Sequence, residues 1–304
     1  MNATVKKRKK IKKEEVVGVV LAAGPLLGFF IFGFIPMVLA VFMSFMKIRG
    51  FSFDGARLVG FENYRYVFTD PKFGKAMLNT LYAAVSMPVS IVCSLFIATL
   101  LNKKVAGTKV FRTILFLPYV CSVVAITTMW KWMLNTDFGI INEILKRLGV
   151  EKVPWLTDST YFMPSMLIMG VWGGTGFGII LYSAALGNVS KSLYEAAKID
   201  GANRRQQFFS ITVPSISPTT FYLFVMGLIG ALQDFVRFQI MGGDGGGPGE
   251  SGLTAVFYLW RMGFKNFIVQ GMGMASAVSL ILAALIIIIT IINFKVSKYW
   301  VHND

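Results

Sequence analysis

Residues 192–214 have the sequence Ser-Leu-Tyr-Glu-Ala-Ala-Lys-Ile-Asp-Gly-Ala-Asn-Arg-Arg-Gln-Gln-Phe-Phe-Ser-Ile-Thr-Val-Pro, a polar and charged segment between two long apolar runs. Ser192 and Glu195 are spaced as a capping box, in which each side chain bonds a free backbone N–H at the start of a helix. This spacing predicts a short helix that begins at Leu193. We therefore expect the segment to be structured.

The same segment contains signals for a turn and for a second helix. Asp200-Gly201 predicts the end of the first helix, because glycine readily adopts the left-handed conformation that terminates helices. A second short helix is predicted from about Ala202. It should end before Pro214, which suits the first turn of the helix that follows.

The chain as a whole is strongly apolar. Of its 304 residues 55% are hydrophobic, and the mean hydropathy is +0.63. A helix needs about 20 apolar residues to cross the hydrocarbon core of a bilayer, and six charge-free runs approach or exceed that length. The sequence predicts an all-α polytopic membrane protein, with a basic tail at 1–15 and a single six-helix domain at 16–304. The predicted transmembrane helices are 19–46, 78–101, 111–134, 162–186, 214–234 and 273–294.

The distribution of basic residues predicts the orientation of these helices. With the amino terminus in the cytosol, the inner segments carry 17 Lys and Arg and five acidic residues, a net charge of +12, whereas the outer segments carry only +3. A bias of Lys and Arg toward cytosolic loops sets the orientation of membrane proteins. Both termini and residues 192–214 are therefore expected in the cytosol of a cell-membrane protein. Basic residues near lipid headgroups explain the net charge of +15 without nucleic acid as a partner.

The sequence contains no pattern for catalysis, for a metal or for a cofactor. Cys93 and Cys121 lie in apolar runs and His302 is the only histidine, so the ligands of a zinc site are lacking. The phosphate-binding pattern G-x-x-x-x-G-K-[ST] does not occur. We therefore expect a chain that is not an enzyme, and any ATP used in its function should be bound by another subunit.

The spacing within residues 192–214 resembles the EAA loop of ABC importer permeases, the membrane subunits that an ATPase contacts from the cytosol. Val213 departs mildly from the pattern, since the family usually has Leu there. The resemblance implies that this loop, between the fourth and fifth helices, couples the membrane helices to ATP hydrolysis on separate subunits. The residues that carry the motif are Glu195, Ala196, Ala197, Asp200, Gly201, Ile211 and Pro214.

Four further stretches resemble the carbohydrate-uptake branch of these permeases, which is related to maltose and glycerol-phosphate importers. They are Gly-Phe-Glu-Asn-Tyr at 60–64, Asn-Thr at 79–80, Phe-Leu-Pro at 116–118 and Gly-Gly-Pro at 246–248. The resemblance extends over about residues 20–300 and implies an importer of sugars of the oligosaccharide type. It also implies a second permease subunit, in a heterodimer, two cytosolic ATP-binding subunits and an extracytoplasmic solute-binding protein that delivers the sugar.

The resemblance further implies a sugar site, because in maltose-type relatives the helices before and after the EAA loop contact the sugar. The alternative for the glycines at these positions is close helix packing, a common role of small residues in membranes. The alternative for Asp234 is an interfacial ion pair with Arg237. The scarcity of other ionisable groups at mid-depth favours a neutral polar solute. The candidate residues are Trp172, Gly173, Gly174, Phe177, Gly227, Gly230, Ala231, Gln233 and Asp234.

Two interpretations other than an ATP-driven permease are a secondary transporter and a membrane enzyme. A secondary transporter that works as a homodimer without an ATPase could also have six helices per chain, but it does not explain the EAA spacing. A membrane enzyme lacks support from any nucleophile and base. For residues 192–214, the alternative is a plain connection in which Glu195 only caps a helix.

Overall fold

The computed structural model describes residues 13–48, 50, 52–102, 107–265 and 271–302. The predicted basic tail therefore lies almost wholly outside the described residues. The described part is mostly helical, and its only strands are β1 (Met46–Lys47) and β2 (Arg57–Leu58), an antiparallel pair. This small pair departs from the all-α prediction because it closes the chain reversal after the first predicted span.

The helices follow one another with short connections. In chain order they are α1 (Lys13–Phe29), α2 (Ile35–Ser44), α3 (Glu62–Thr69), α4 (Pro71–Ala84), α5 (Ser86–Leu101), α6 (Thr108–Val120), α7 (Val123–Met133), α8 (Ile140–Arg147), α9 (Ser159–Asn188), α10 (Lys191–Ile199), α11 (Arg204–Gln207), α12 (Val213–Ser215), α13 (Ser217–Leu232), α14 (Val236–Gly242), α15 (Ala255–Trp260) and α16 (Gly271–Ser297). One π-helical turn joins α1 to α2, a second joins α11 to α12, and a third extends α15.

Among the described residues, four helical segments are long and apolar enough to cross a membrane without a break, while two predicted spans are bent pairs. α6 and α7 meet at 99°, and the segment Arg204–Ser215 meets α13 at 61°. Six spans result if each bent pair is one span, so the third predicted span consists of two helices rather than one, and the fifth is bent near its start. The continuous segments are Val17–Ser44, Pro71–Leu101, Ser159–Asn188 and Gly271–Ser297.

The bend between α6 and α7 comes from extended backbone at two consecutive residues. Cys121 has ψ 154° and Ser122 has ψ 131°, three and four residues after Pro118. Non-helical backbone is tolerated at membrane depth where it lines a cavity or is buried in protein. Pro118 and Cys121 both line the large cavity described below, and so the bend shapes its wall.

The bend before α13 lies at Ile216, where ψ is 2°. Pro218, in the first turn of α13, has no N–H to offer to the carbonyl of Pro214. The Ser217 hydroxyl donates to that carbonyl instead, at 2.6 Å. The Pro214 carbonyl therefore keeps a hydrogen-bond partner despite the bend.

α9 packs along α5 through facing rows of small residues. Residues four apart lie on one face of a helix, and small side chains allow two helices to approach closely. A Cβ added to Gly174 would lie 2.9 Å from the Ser90 hydroxyl oxygen. The Ser94 hydroxyl donates to the Thr175 carbonyl across the interface at 3.0 Å. The facing rows are Gly170, Gly174 and Gly178 on α9 and Ser86, Ser90 and Ser94 on α5.

The glycine-rich segment after α14 (residues 243–249) is fixed to the beginning of α4 through the neighbouring Glu250. The Oε1 atom of Glu250 accepts hydrogen bonds from Lys72 and Arg261, both at 3.0 Å. Asn79 donates to the backbone carbonyl of Glu250 at 3.3 Å. Burial opposes ionisation of Glu250, but the hydrogen bonds from Lys72 and Arg261 outweigh it, so the pKa of this carboxyl lies below its usual value. This network forms one end of the helical bundle.

Candidate functional site: a two-helix loop and a cavity

The first half of residues 192–214 forms most of α10. The helix begins at Lys191, after Ser190 with extended backbone (ψ 130°), so the predicted start at Leu193 is two residues late. The predicted capping box at Ser192 is absent, and no side chain caps α10. Ser192 already lies inside the helix, and its hydroxyl is 2.7 Å from that of Ser190.

The predicted helix end at Gly201 is confirmed. Gly201 has φ +80°, in the left-handed region. Its N–H donates to the Lys198 carbonyl at 3.1 Å, and the Ala202 N–H donates to the Ala197 carbonyl at 2.8 Å. This pair of bonds is a Schellman motif, which satisfies the last carbonyls of a helix.

A capping box does occur, but at the start of the second short helix. Asn203 accepts from the Gln206 N–H at 3.0 Å, and the Gln206 side chain accepts from the Asn203 N–H at 2.8 Å. The helix therefore begins at Arg204 rather than at about Ala202. It continues past Pro214 to the bend at Ile216, so the prediction that it ends before Pro214 is wrong.

The loop formed by α10 to α12 offers both apolar and charged groups to its surroundings. Leu193 is 48% exposed and Ile199 is 87% exposed. The Tyr194 and Thr212 hydroxyls are 2.8 Å apart, and their hydrogen bond ties α10 to the segment that leads into α13. The role of the loop in coupling to an ATPase stays a prediction. Of the motif residues, Glu195, Ala196, Asp200 and Gly201 are exposed, whereas Ala197, Ile211 and Pro214 are half-buried.

A cavity of about 540 Å³ lies between α5, α9 and α13, with the bend between α6 and α7 in its wall. Its lining is mostly small, aliphatic or aromatic. Two of the predicted residues do not reach it: Trp172 packs edge-to-face on Trp130, with ring centroids 5.5 Å apart, and Gln233 is exposed after α13. The predicted residues that line the cavity are Gly173, Gly174, Phe177, Gly227, Gly230, Ala231 and Asp234.

The glycines of this cavity divide into two groups. Gly174 faces Ser90, and a Cβ on Gly227 would lie 2.6 Å from Cγ of Met87, so these two serve close packing. A Cβ on Gly173 or on Gly230 would meet no atom within 4 Å. The packing alternative thus applies to the first pair, and the second pair leaves open space for a ligand.

Phe177 and Tyr119 form an aromatic wall of the cavity. Their rings are stacked, with centroids 4.6 Å apart and an interplanar angle of 14°. One face of Phe177 is therefore covered by protein. Both residues line the cavity, and Tyr119 comes from α6, just before the bend. Tyr119 is not among the residues predicted from the sequence, because nothing in its local sequence reveals this long-range contact.

Other lining residues missed from the sequence carry polar groups. The spacing of four between the serines of α5 was a signal that could have found them, because it places the three hydroxyls on one helix face. Arg237 was considered only as the partner of Asp234. No group of three His, Cys, Asp or Glu side chains suited to a metal ion occurs within the described ranges. The missed polar residues are Ser86, Ser90, Ser94, Tyr222 and Arg237.

These features define a polytopic helical membrane protein with an internal cavity and a two-helix loop at one end. Residues 90–298 match the family described as the binding-protein-dependent transport system inner membrane component. The chain belongs to this family, and it is a permease subunit of an ABC transporter.

Its similarity to known permeases extends over nearly the whole chain. It is 33% identical to the probable ABC transporter permease protein YesP of Bacillus subtilis, over 99% of this chain and 96% of that protein. It is 34% identical to the arabinooligosaccharides transport system permease protein AraP of Halalkalibacterium halodurans, over 96% of this chain and 90% of AraP. A chain in the crystal structure of a bacterial ABC transporter involved in the import of the acidic polysaccharide alginate has a TM-score of 0.82, with 25% identity and coverage of 94% and 96%.

Proposed function

We propose that this chain is one of two membrane-spanning subunits of an ATP-driven sugar importer in the cell membrane. An external solute-binding protein delivers an oligosaccharide to the cavity, and a second, different permease subunit completes the passage. Two cytosolic ATPase subunits contact α10 to α12 and drive the change of access. Both termini lie in the cytosol, consistent with the bias of basic residues.

The observation that carries this proposal is the cavity of about 540 Å³ between α5, α9 and α13. Its volume is within the range of small-molecule sites, roughly 300–1,000 Å³. Open glycine positions, serine hydroxyls and an aromatic wall suit a solute with a hydroxylated ring. The similarity to a permease of arabinooligosaccharides supports the same class of substrate.

The proposal is tested with the complete transporter in lipid vesicles. The chain is purified with its second permease and ATPases, and its binding protein is added with arabinobiose, lactose or a buffer control. We expect one neutral sugar to stimulate ATP hydrolysis and to accumulate in the vesicles only when ATP is present. Accumulation that follows an ion gradient without ATP would instead support the secondary-transporter alternative.

A further inference from the structure

Arg237 presents unused hydrogen-bond donors to the cavity. It lies in α14, three residues after Asp234, and both residues line the cavity. Its Nε is 2.7 Å from Oδ2 of Asp234, and the side chains of Arg237 and Asp234 are 26% and 11% exposed. The two terminal amino groups of Arg237 donate no hydrogen bond to any residue that the structure describes. They are therefore available to a ligand.

The serine hydroxyls of α5 present acceptors to the cavity, and Ser86 lies near Arg237, since a Cβ on Gly170 would lie 2.9 Å from the Ser86 hydroxyl oxygen and 3.7 Å from Nη1 of Arg237. The hydroxyls of Ser86 and Ser90 donate to the carbonyls three residues before them, at 2.7 and 2.8 Å. The Ser94 hydroxyl donates to the carbonyl of Ser90 at 2.6 Å and to that of Thr175 at 3.0 Å. A hydroxyl that has given its proton away keeps only acceptor capacity. Donors on Arg237 and acceptors on α5 together match sugar hydroxyl groups, which both donate and accept.

The net charge of the cavity is zero. Among the described lining residues, Asp234 and Arg237 are the only acidic and basic side chains, and the 2.7 Å contact between Oδ2 and Nε pairs a carboxylate with a guanidinium. An acidic sugar would add a second carboxylate beside Asp234, between largely apolar walls where like charges repel strongly. A neutral sugar is not repelled by the Asp234 carboxylate. The planar guanidinium of Arg237 can donate two parallel hydrogen bonds to adjacent oxygens of one sugar ring.

We propose that Arg237, oriented by Asp234, is the specificity-determining residue of this cavity, which admits uncharged saccharides and rejects acidic ones. Arg237 contacts the sugar, and Asp234 is a positioning residue that also cancels its charge. The inference rests on the proposed function, because it assumes a sugar in the cavity. It also distinguishes this chain from the structurally similar transporter of an acidic polysaccharide.

The test measures binding of radiolabelled arabinobiose, lactose and digalacturonate to the detergent-purified transporter complex. The binding protein is left out, so that only the membrane cavity discriminates between the sugars. We expect the parent complex to prefer a neutral probe. Arg237→Gln should weaken neutral binding by about 10- to 100-fold, the usual range for a lost charge-assisted hydrogen bond. Arg237→Lys should lose less, because it keeps the charge but not the paired donors.

The decisive variant is Asp234→Asn, because it leaves the charge of Arg237 uncompensated. We expect it to shift the ratio of acidic to neutral binding by about 10-fold toward digalacturonate. A purely structural role of Asp234 would weaken all probes equally and leave that ratio unchanged. Arg147→Gln is the matched control, because Arg147 is 79% exposed, pairs with Glu143 on α8 and is not part of the cavity lining.

The outcomes separate this inference from the proposed function. If the parent complex binds none of the sugars, even with its binding protein present, the proposed function fails. If the parent binds a neutral sugar and Arg237→Gln binds it equally well in an intact complex, only the role of Arg237 is overturned. Preference of the parent for digalacturonate, or an unchanged ratio in Asp234→Asn, overturns the charge argument. Should Arg237→Gln fail to assemble, Arg237→Lys and Asp234→Asn carry the same test.

Discussion

Gly201 sets the direction in which the chain leaves α10 and enters α11. Its φ of +80° is a conformation that residues with a Cβ rarely adopt. A Cβ at this position would meet no atom within 4 Å, so space is not the limit. Any effect of a substitution here must therefore come from the backbone conformation, and from the orientation of the two short helices that this conformation fixes.

Gly201→Val is expected to give a membrane-inserted protein that does not transport. The left-handed conformation should cost about 1–2 kcal/mol, and the turn should relax by redirecting α10 relative to α11. If the loop contacts an ATPase, the variant should lose either binding of the ATPase or the transmission of force from the ATPase to the membrane helices. The measurements are co-purification of the ATPase subunits, ATP hydrolysis and sugar uptake.

Gly187→Val is the matched control for Gly201→Val. Gly187 is also exposed with no atom within 4 Å of a Cβ, but it lies in regular helix near the end of α9. Glu195→Ala should be milder than Gly201→Val, because Glu195 caps nothing in the structure. Normal transport by Gly201→Val would mean that residues 192–214 are a plain connection.

Some features fixed by neighbouring residues were predictable from the sequence, whereas features fixed by distant contacts were not. The turn at Gly201 follows from one residue with one unusual conformation. The capping box was assigned to Ser192 because the pattern also fits there, although Asn203 and Gln206 form the real one. The stack of Phe177 on Tyr119 depends on how α6 meets α9, which no local pattern reveals.

At the scale of elements, α9 organises the cavity and the packing around it. Its 30 residues span about 45 Å. One face packs on α5 through glycines and serines, and Gly176 packs so closely on α6 that an added Cβ would overlap the Leu115 carbonyl oxygen. Gly173 lies on the cavity side with open space. Neighbouring glycines of one helix therefore have different roles.

Gly176→Ala is expected to destabilise the protein, whereas Gly173→Ala should leave its stability unchanged or raise it slightly. The backbone oxygen of Leu115 cannot rotate away from a new methyl group, so α6 must shift, at a cost of roughly 1–3 kcal/mol. At Gly173 the methyl group meets no atom, and alanine favours helix by up to about 1 kcal/mol. The midpoint of thermal unfolding of each purified variant in detergent checks this. Equal midpoints for both variants would contradict the close α6–α9 contact.

The two bent helix pairs show why an apolar run does not define a single helix. Residues 111–134 satisfy the length and hydropathy of one span, and so the sequence predicted one helix. The break at Cys121 and Ser122 contains no glycine and leaves hydropathy unchanged, so composition carries no sign of it. In the sequence, Pro118 is a possible sign of a break, but membrane helices often contain proline without breaking. The cavity supplies the tertiary reason for the break.

At the scale of the whole molecule, α9 separates two ends with different character. One end holds the glycine-rich segment fixed to α4 through Glu250, Lys72 and Asn79. The other holds the exposed loop of α10 to α12. If the bias of basic residues sets the orientation, the Glu250 network is outside and can meet a solute-binding protein, while the loop is inside and can meet an ATPase. The proposed function requires this arrangement.

The orientation is tested by cysteines placed at the two ends. Cys93 and Cys121 are first changed to Ala, since both are free thiols. Arg204→Cys and Gly245→Cys then give single exposed thiols in α11 and in the glycine-rich segment. Arg204 is preferred over Asn203, because Asn203 caps α11 and its loss would disturb the loop. In intact cells a membrane-impermeant maleimide should label Gly245→Cys only, and Arg204→Cys should react only after the membrane is opened. Labelling of Arg204→Cys from outside would place the loop of α10 to α12 on the outer side of the membrane, where no cytosolic ATPase could contact it. The importer proposal would then be contradicted as a whole, because the surface proposed to transmit force would face the wrong compartment.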